Sequence, residues 1–373
     1  MPATSFPLPE SLVEYRRELG NTSFYYANAT SALKDILRYR KRQQGPGRTV
    51  VLLPSYICAN VVSAVRAVGL DTVFYPVDRE CRVDPKTLHR LCDGTTLAIL
   101  WVHFFGIPSS LAWLQNLGTE CGAMLIEDCA HVLAGRVGEV WTGTTGDVAL
   151  YSLWKTMRSA DGALLLLKSG FAGDFVPGYD RKAGEGPALQ RTLAASIKSG
   201  MEALLGRPVP RPRAEPTPPF PLDLQSARKA GVSAMSRFSR VWLEQQNIRR
   251  IVEARRSNFV MWAESINRFQ FLDPLIPHLD EGWVPYSFPV QLEGRDDLRL
   301  FLWRHGIACG AGFPEAPFVE GQEGASLLST TVLELPVHQS FARRDFEYAC
   351  GLLSRWHRRF DSPIRKVERG ASR

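Results

Sequence analysis

Apolar positions along the first 170 or so residues fall into two alternating patterns. In SALKDILRYRKRQ, Leu33, Ile36 and Leu37 recur at helical spacing on one face. TVVLLPSYI is instead an unbroken apolar run that stops at a proline, the pattern of a strand buried on both faces. The alternation continues. NVVSAVRAVGL predicts a short helix ending at Gly69, TVFYPVD a strand, and DPKTLHRLC a helix capped by Asp84 with Pro85 in its first position. LAILWVHFFG reads as a strand, LAWLQNLGTECG as a helix and AMLIEDCAH as a strand, and DVALYSLW and GALLLLKSG are two more strands flanking a short loop. Strands alternating with helices predict a mostly parallel sheet covered on both faces. On such sheets ligands gather at the carboxyl ends of the strands.

Residues 171–232 break the pattern. ALQRTLAASIKSGMEALLG predicts one amphipathic helix, and the proline-rich run RPVPRPRAEPTPPFPLD, centred on residues 207–221, excludes helix and central strand. That run reads as a crossing segment, which either connects or covers a site. A long Arg-rich helix is expected from about Ser233 to Phe269. After it come a strand (VPYSFPVQL), a helix (RDDLRLFLWRHG), a Gly/Pro loop (IACGAGFPEAPF), an extended segment (TVLELPVH) and a last helix (FARRDFEYACGLLSRWHRRF). The expected fold class is therefore α/β. A large domain over 1–232 has its sheet sandwiched by helices, and 233–373 holds the long helix and a smaller C-terminal α+β domain. A chain of 373 residues is too long for one simple core.

Composition narrows the class. Hydrophobic residues at 45% and charged residues at 22% are ordinary for a soluble globular protein. The net charge is +7, but Lys and Arg are scattered among acids except in RYRKR (Arg38–Arg42) and the tail from Arg355. These read as solvated faces or as a mild attraction for an anionic ligand. No basic stripe with interleaved aromatics supports nucleic-acid binding. No run nears the roughly 20 apolar residues of a membrane span, and the first residues lack a signal-peptide pattern. Seven cysteines (Cys58, Cys81, Cys92, Cys121, Cys129, Cys309 and Cys350) without a C-x-x-C pair read as reduced thiols of a cytoplasmic protein, with neither a disulfide frame nor a metal site.

Three polar elements stand out against the apolar strands. IEDCAH ends a strand with two acids and a histidine. Left bare in a core these would be costly, so they are either a capped strand end or a site. Lys155, in YSLWKT before DGALLLL, sits in a loop between two strands. It either reaches out to water or is the low-pKa amine that a Schiff base needs. ANATSALKDIL leads small polar residues, Asn28 to Ser31, straight into a helix, either as a plain cap or as an anion seat. Ser152 adds a hydroxyl near the lysine. A phosphate seat, a strand-end aspartate and a downstream lysine together are what pyridoxal 5'-phosphate requires. The aspartate keeps the ring nitrogen protonated so that the ring can act as an electron sink.

In their order and spacing, the motifs resemble the DegT/DnrJ/StrS group of pyridoxal-phosphate sugar aminotransferases, over most of the chain. NATSAL resembles N-G-T-x-A-L, with Ala29 in place of the glycine. TTLAILWVHFFGIP resembles T-K-A-I-I-P-V-H-x-x-G-x-P, MLIEDCAH resembles V-I-E-D-A-A-Q, and GTTGDVALYSLWKTMRSADGALLL resembles the family's G-D…F-S-F…K…G-G-A stretch. AMSRFSRVWLEQQNIRRIVEARR resembles R-M-S-E-L-Q-A-A-L…R-R, and HGIACGAGFPEAPF and LELPVHQSF resemble the family's closing motifs.

The resemblance implies the aspartate-aminotransferase fold (fold type I, with a seven-stranded-type sheet) and a homodimer with active sites at the subunit interface. It also implies transfer of an amino group from glutamate or glutamine to a keto-sugar, usually nucleotide-linked, in polysaccharide or antibiotic-sugar biosynthesis. Lys155 would be the Schiff-base lysine and Asp128 the partner of the ring nitrogen. His131 would stand near the ring's 3-hydroxyl, where the family has glutamine. Ser152, Thr30 and the Ala29 amide would hold the phosphate, and His103, at the matched V-H strand end, would contact substrate.

The chain departs from the pattern in places. Cys58 stands where the ring-stacking aromatic is usual, the Ser152–Lys155 gap is two residues shorter, and Ala163 replaces a glycine. Two alternatives therefore stand beside the first reading. One is other chemistry on the same cofactor, such as amination of a non-sugar ketone or a dehydration. The dehydratase branch carries histidine in place of the lysine, which Lys155 argues against. The other alternative is a non-catalytic regulatory relative.

Overall fold

A computed structural model of the chain describes residues 9–19, 22–171, 173–179, 231–317 and 319–360. The proline-rich run, the amphipathic helix expected before it and the end of the basic tail lie outside the described residues. The first half begins with α1 (Leu12–Leu19), β1 (Thr22–Tyr26), α2 (Ala29–Gln44), β2 (Val50–Pro54), α3 (Ala59–Ala67) and β3 (Asp71–Tyr75). It continues through α4 (Pro85–Leu91), β4 (Thr96–Val102), α5 (Ala112–Cys121) and β5 (Met124–Cys129). After these come the small hairpin of β6 (Arg136–Val137) and β7 (Val140–Trp141), then β8 (Val148–Tyr151), α6 (Leu153–Thr156) and β9 (Ala163–Leu167). Several expected boundaries reappear. Asp84 caps α4 by accepting from the amides of Lys86 and Thr87, and Gly122 ends α5 in the left-handed conformation.

Seven strands form one sheet in the order β1-β9-β8-β5-β4-β2-β3. Neighbours from β3 across to β8 are parallel, and β9 alone runs against the rest. The apolar runs read from sequence are the central strands, and every residue of β4 is buried, as layers on both faces require. β1 was not evident in the sequence, because TSFYY pairs at the sheet edge with β9 and only its end is buried. DVALYSLW is strand only to Tyr151. Beyond Ser152 the amides of Leu153 and Trp154 both bond the carbonyl of Gly162 (3.0 and 3.4 Å), which turns the chain into α6.

The expected long helix is two helices, α7 (Arg237–Glu244) and α8 (Ile248–Ser265). Asn247 breaks them, its side chain capping α8 by accepting from the amide of Arg250. Met235, Leu243, Ile248, Ile251 and Val252 pack in the core that also holds Leu164 and Leu166 of β9. Phe259 and Trp262, further along α8, pack in a second core. That second core lies around a three-stranded antiparallel sheet of β10 (Asp273–Pro274), β11 (Ser287–Gln291) and β12 (Val332–Pro336). Helices α9 (Arg295–Arg304), α10 (Glu323–Thr331) and α11 (Arg343–Phe360) accompany it.

The turn Phe104–Gly106 joins the two parts. The carbonyl of Phe105 accepts from the amide of Tyr286 (2.7 Å). Gly106 has φ +81°, and a Cβ there would meet His131 O and Tyr286 N at 2.7 Å, so only glycine fits. No described helix is long and apolar enough to cross a membrane.

Candidate active site

The parallel strands deliver their carboxyl ends to one edge of the sheet, where β5 ends in Asp128 and β8 leads into Ser152. Close by is the start of α2. The Asn28 side chain caps it, its Oδ1 accepting from Ser31 N (2.8 Å) and Thr30 Oγ1 (2.7 Å). The Ala29 and Thr30 amides belong to the first turn, whose N–H groups have no partner within a helix. With the positive end of a 16-residue helix behind them they form an anion seat. Ala29 costs nothing in place of glycine, because among the described non-glycine residues only Cys81 and Phe105 have positive φ. The lysine turn is tied to this seat: Gly162, whose carbonyl holds Leu153 and Trp154, donates its own amide to Ala27 O (2.8 Å).

Ala29, Thr30, Cys58, Asp128, His131, Ser152 and Lys155 all line a single cavity of about 280 Å³. The rest of its wall is largely apolar, with Leu33, Ile57, Val102, Leu150 and Phe313. Asp128 accepts one hydrogen bond among the described residues, Ala130 N to Oδ1 (2.9 Å). Burial raises its pKa, against the Ala130 amide and the charges of Lys155 and His103. His131 Nε2 lies 3.3 Å from Lys155 Nζ, and its buried Nδ1 has no partner among the described residues. Burial, with Lys155 beside it, holds His131 well below the ordinary histidine range, so the ring is neutral. Its imidazole stacks on Tyr286 (4.3 Å between centroids, 6° between planes) and lies near-parallel to Phe313 at 5.8 Å.

Cys58 occupies the position where an aromatic was expected from the resemblance. Its thiol donates to Glu315 Oε1 (3.6 Å), and burial pushes its pKa up. The aromatic side chains that do line the cavity are His131, Phe313 and Trp154. Phe313 and the supporting Tyr286 come from segments far along the chain, and no local pattern marked either one.

His103 is not where the sequence put it. It is 1% exposed and does not line the cavity; its Nε2 donates to Glu127 Oε2 (3.0 Å) on the opposite face of the sheet. Glu127 also accepts from the amides of Gly143 (2.8 Å), Thr145 (2.8 Å) and Gly146 (2.6 Å). Burial alone would raise its pKa, but His103 and these amides hold it below the usual value. His103, Glu127 and Cys129 are close enough to suggest a metal site. Each oxygen of Glu127, however, already accepts two hydrogen bonds, which leaves no lone pair free for an ion.

Residues 18–171 match the model of the DegT/DnrJ/EryC1/StrS aminotransferase family. The chain is similar to a dTDP-4-dehydro-2,3,6-trideoxy-D-glucose 4-aminotransferase of Saccharopolyspora spinosa, 34% identical over 129 residues, 32% of each chain. It is also similar to a UDP-N-acetyl-3-dehydro-alpha-D-glucosamine 3-aminotransferase of Acidithiobacillus ferrooxidans, 28% identical over 144 residues, 38% of each chain. The match thus spans about a third of the length of these curated relatives. Among solved structures, the Helicobacter pylori aminotransferase PseC, involved in the biosynthesis of pseudoaminic acid, shares the fold with a TM-score of 0.65 at 14% identity, covering 94% of this chain and 91% of that one. Residues 18–171, which match the DegT/DnrJ/EryC1/StrS aminotransferase family model, carry the candidate anion seat, Asp128, His131 and Lys155.

Proposed function

We propose that the protein is a pyridoxal-phosphate-dependent aminotransferase, cytoplasmic and homodimeric, that moves an amino group from glutamate or glutamine to a nucleotide-linked keto-sugar. The observation that carries this reading is the meeting of Lys155, Asp128, neutral His131 and the anion seat of Ser152, Thr30 and the Ala29 amide around one cavity. Both curated relatives are named for nucleotide-linked keto-sugars, which supports the acceptor class.

The residues fit the cofactor. Asp128 turns a carboxylate with a single hydrogen bond among the described residues toward the cavity, where a cationic ring nitrogen would reverse the effect of burial on it. Nδ1 of His131 is a buried polar atom without a partner among the described residues, and the ring's 3-hydroxyl would supply one. When bound, pyridoxal phosphate supplies an electron sink that lets a C–H bond next to the amine break. Lys155 Nζ is the amine that would hold the cofactor and the base that would then carry the donor's proton. Ser152, Thr30 and the Ala29 amide would hold the phosphate, and the apolar wall keeps water from the reacting centre.

The test is incubation with nitrogen-labelled glutamate or glutamine and the keto-sugars acted on by the two relatives, with mass spectrometry of the sugar. Label in the sugar is the expected result. Turnover of the donor without label in any sugar would move the acceptor to a non-sugar ketone, and no donor turnover would overturn the aminotransferase reading. Light scattering should give twice 41.7 kDa for the dimer.

A further inference from the structure

We propose that Arg255 is a positioning residue for this reaction, clamping the turn that carries Lys155 and steadying the ring on which His131 stacks. The inference rests on the aminotransferase reading. Arg255 lies on the buried face of α8 together with Ile251, Val252, Asn258, Phe259 and Trp262. It is 1% exposed, and its hydrogen-bond partners among the described residues are all neutral. Burial pulls its pKa down to about 10, which leaves it a cation at neutral pH. A buried cation without a carboxylate is costly unless its donors are well satisfied.

The guanidinium reaches the lysine by two routes. Through the backbone, Nη2 donates to the carbonyl of Thr156 (3.1 Å), next to Lys155. Gln339 Nε2 donates to the same carbonyl (3.2 Å), while Gln339 Oε1 accepts from Arg255 Nε (3.2 Å), which closes a triangle on that one oxygen. α6 is a single turn, so its last carbonyls depend on partners from outside. Through the rings, Nη1 donates to the carbonyls of Pro285 (3.4 Å) and Tyr286 (3.2 Å), and the guanidinium lies 6.0 Å from the centre of the Tyr286 ring. Tyr286 stacks on His131, whose Nε2 meets Lys155 Nζ. One planar fork therefore fixes the lysine turn against the segment leading into the small sheet and the segment after β12. A lysine at this position could not reproduce the fork.

The test compares wild type, Arg255→Met, Arg255→Lys and Gln339→Ala after addition of pyridoxal phosphate. The rate at which borohydride fixes the cofactor on Lys155 is read by peptide mass spectrometry, with kcat and KM for the amino donor measured alongside. If wild type fixes no cofactor on Lys155, the aminotransferase reading fails, separately from this proposal. If it does, Arg255→Met should fix cofactor at least tenfold more slowly, with kcat lowered in step and donor KM within about twofold. Arg255→Lys, which keeps the charge and loses the fork, should fall between the two. Fixation and kcat within twofold of wild type in Arg255→Met would overturn the proposal. Should Arg255→Met not fold, Gln339→Ala, which leaves the arginine in place, decides: a drop of threefold or more is expected, and an unchanged rate overturns it.

Discussion

The end of β5 carries two neighbouring acids that live in opposite surroundings. Successive strand residues face opposite sides of a sheet. Glu127 therefore points to the back, where His103 and the amides of Gly143, Thr145 and Gly146 meet both of its oxygens. Asp128 lines the cavity with one hydrogen bond among the described residues, from Ala130. The two pKa shifts differ in sign accordingly, that of Glu127 downward and that of Asp128 upward. A completed hydrogen-bond set marks an acid that holds the fold together, and an incomplete one facing a cavity marks an acid awaiting a ligand.

Mutations on the two faces should separate function from stability. Lys155→Ala breaks the cavity face most severely. It should abolish covalent attachment of pyridoxal phosphate, read by mass spectrometry, while leaving the melting temperature of the cofactor-free protein unchanged. Asp128→Asn should lower kcat by on the order of a hundredfold, in line with losing one preorganised charge, with cofactor still bound on equilibrium dialysis. Glu127→Gln should do the reverse. Disturbing a buried carboxylate that accepts four hydrogen bonds costs about 1–3 kcal/mol, read by chemical denaturation, and enzyme that remains folded should still attach cofactor.

The smallest expected effect sharpens the contrast through pH. The lowered pKa of Glu127 gives stability that is present above the unfolded carboxylate value of about 4.3 and lost as pH falls through the folded value. The advantage of wild type over Glu127→Gln should shrink on acidification. The raised pKa of Asp128 works in the opposite sense: ionisation is a burden at neutral pH that disappears below about 3.9. Cofactor-free Asp128→Asn should therefore be at least as stable as wild type at pH 7, with the gap closing in acid. A parallel pH profile for the two variants would contradict the division.

Much of this was legible in the sequence because it is local. The unbroken apolar runs became the parallel strands, Asp84 capped α4, and NATSAL, IEDCAH and the lysine loop each placed a polar group at a strand or helix end. His103 was misjudged because a strand-end histidine shows no face; a difference of one residue in the pleat turns a side chain to the other side of the sheet. The α6 turn was hidden because YSLW continues an apolar run, and only the distant carbonyl of Gly162 bends it. Tyr286 and Phe313 reach His131 from far along the chain, beyond any periodic signal. Arg255 did leave a trace, since it keeps helical register with Ile251, Val252 and Phe259, but an arginine in an arginine-rich helix reads as solvated.

The most direct test of the central claim is the absorbance spectrum of the purified protein with pyridoxal phosphate, before and after addition of L-glutamate. A visible band present in wild type, missing from Lys155→Ala and bleached by glutamate is the expected result. The same spectrum in wild type and Lys155→Ala, or a band that glutamate and glutamine both leave unchanged, would contradict the assignment of this cavity as the site of amino transfer.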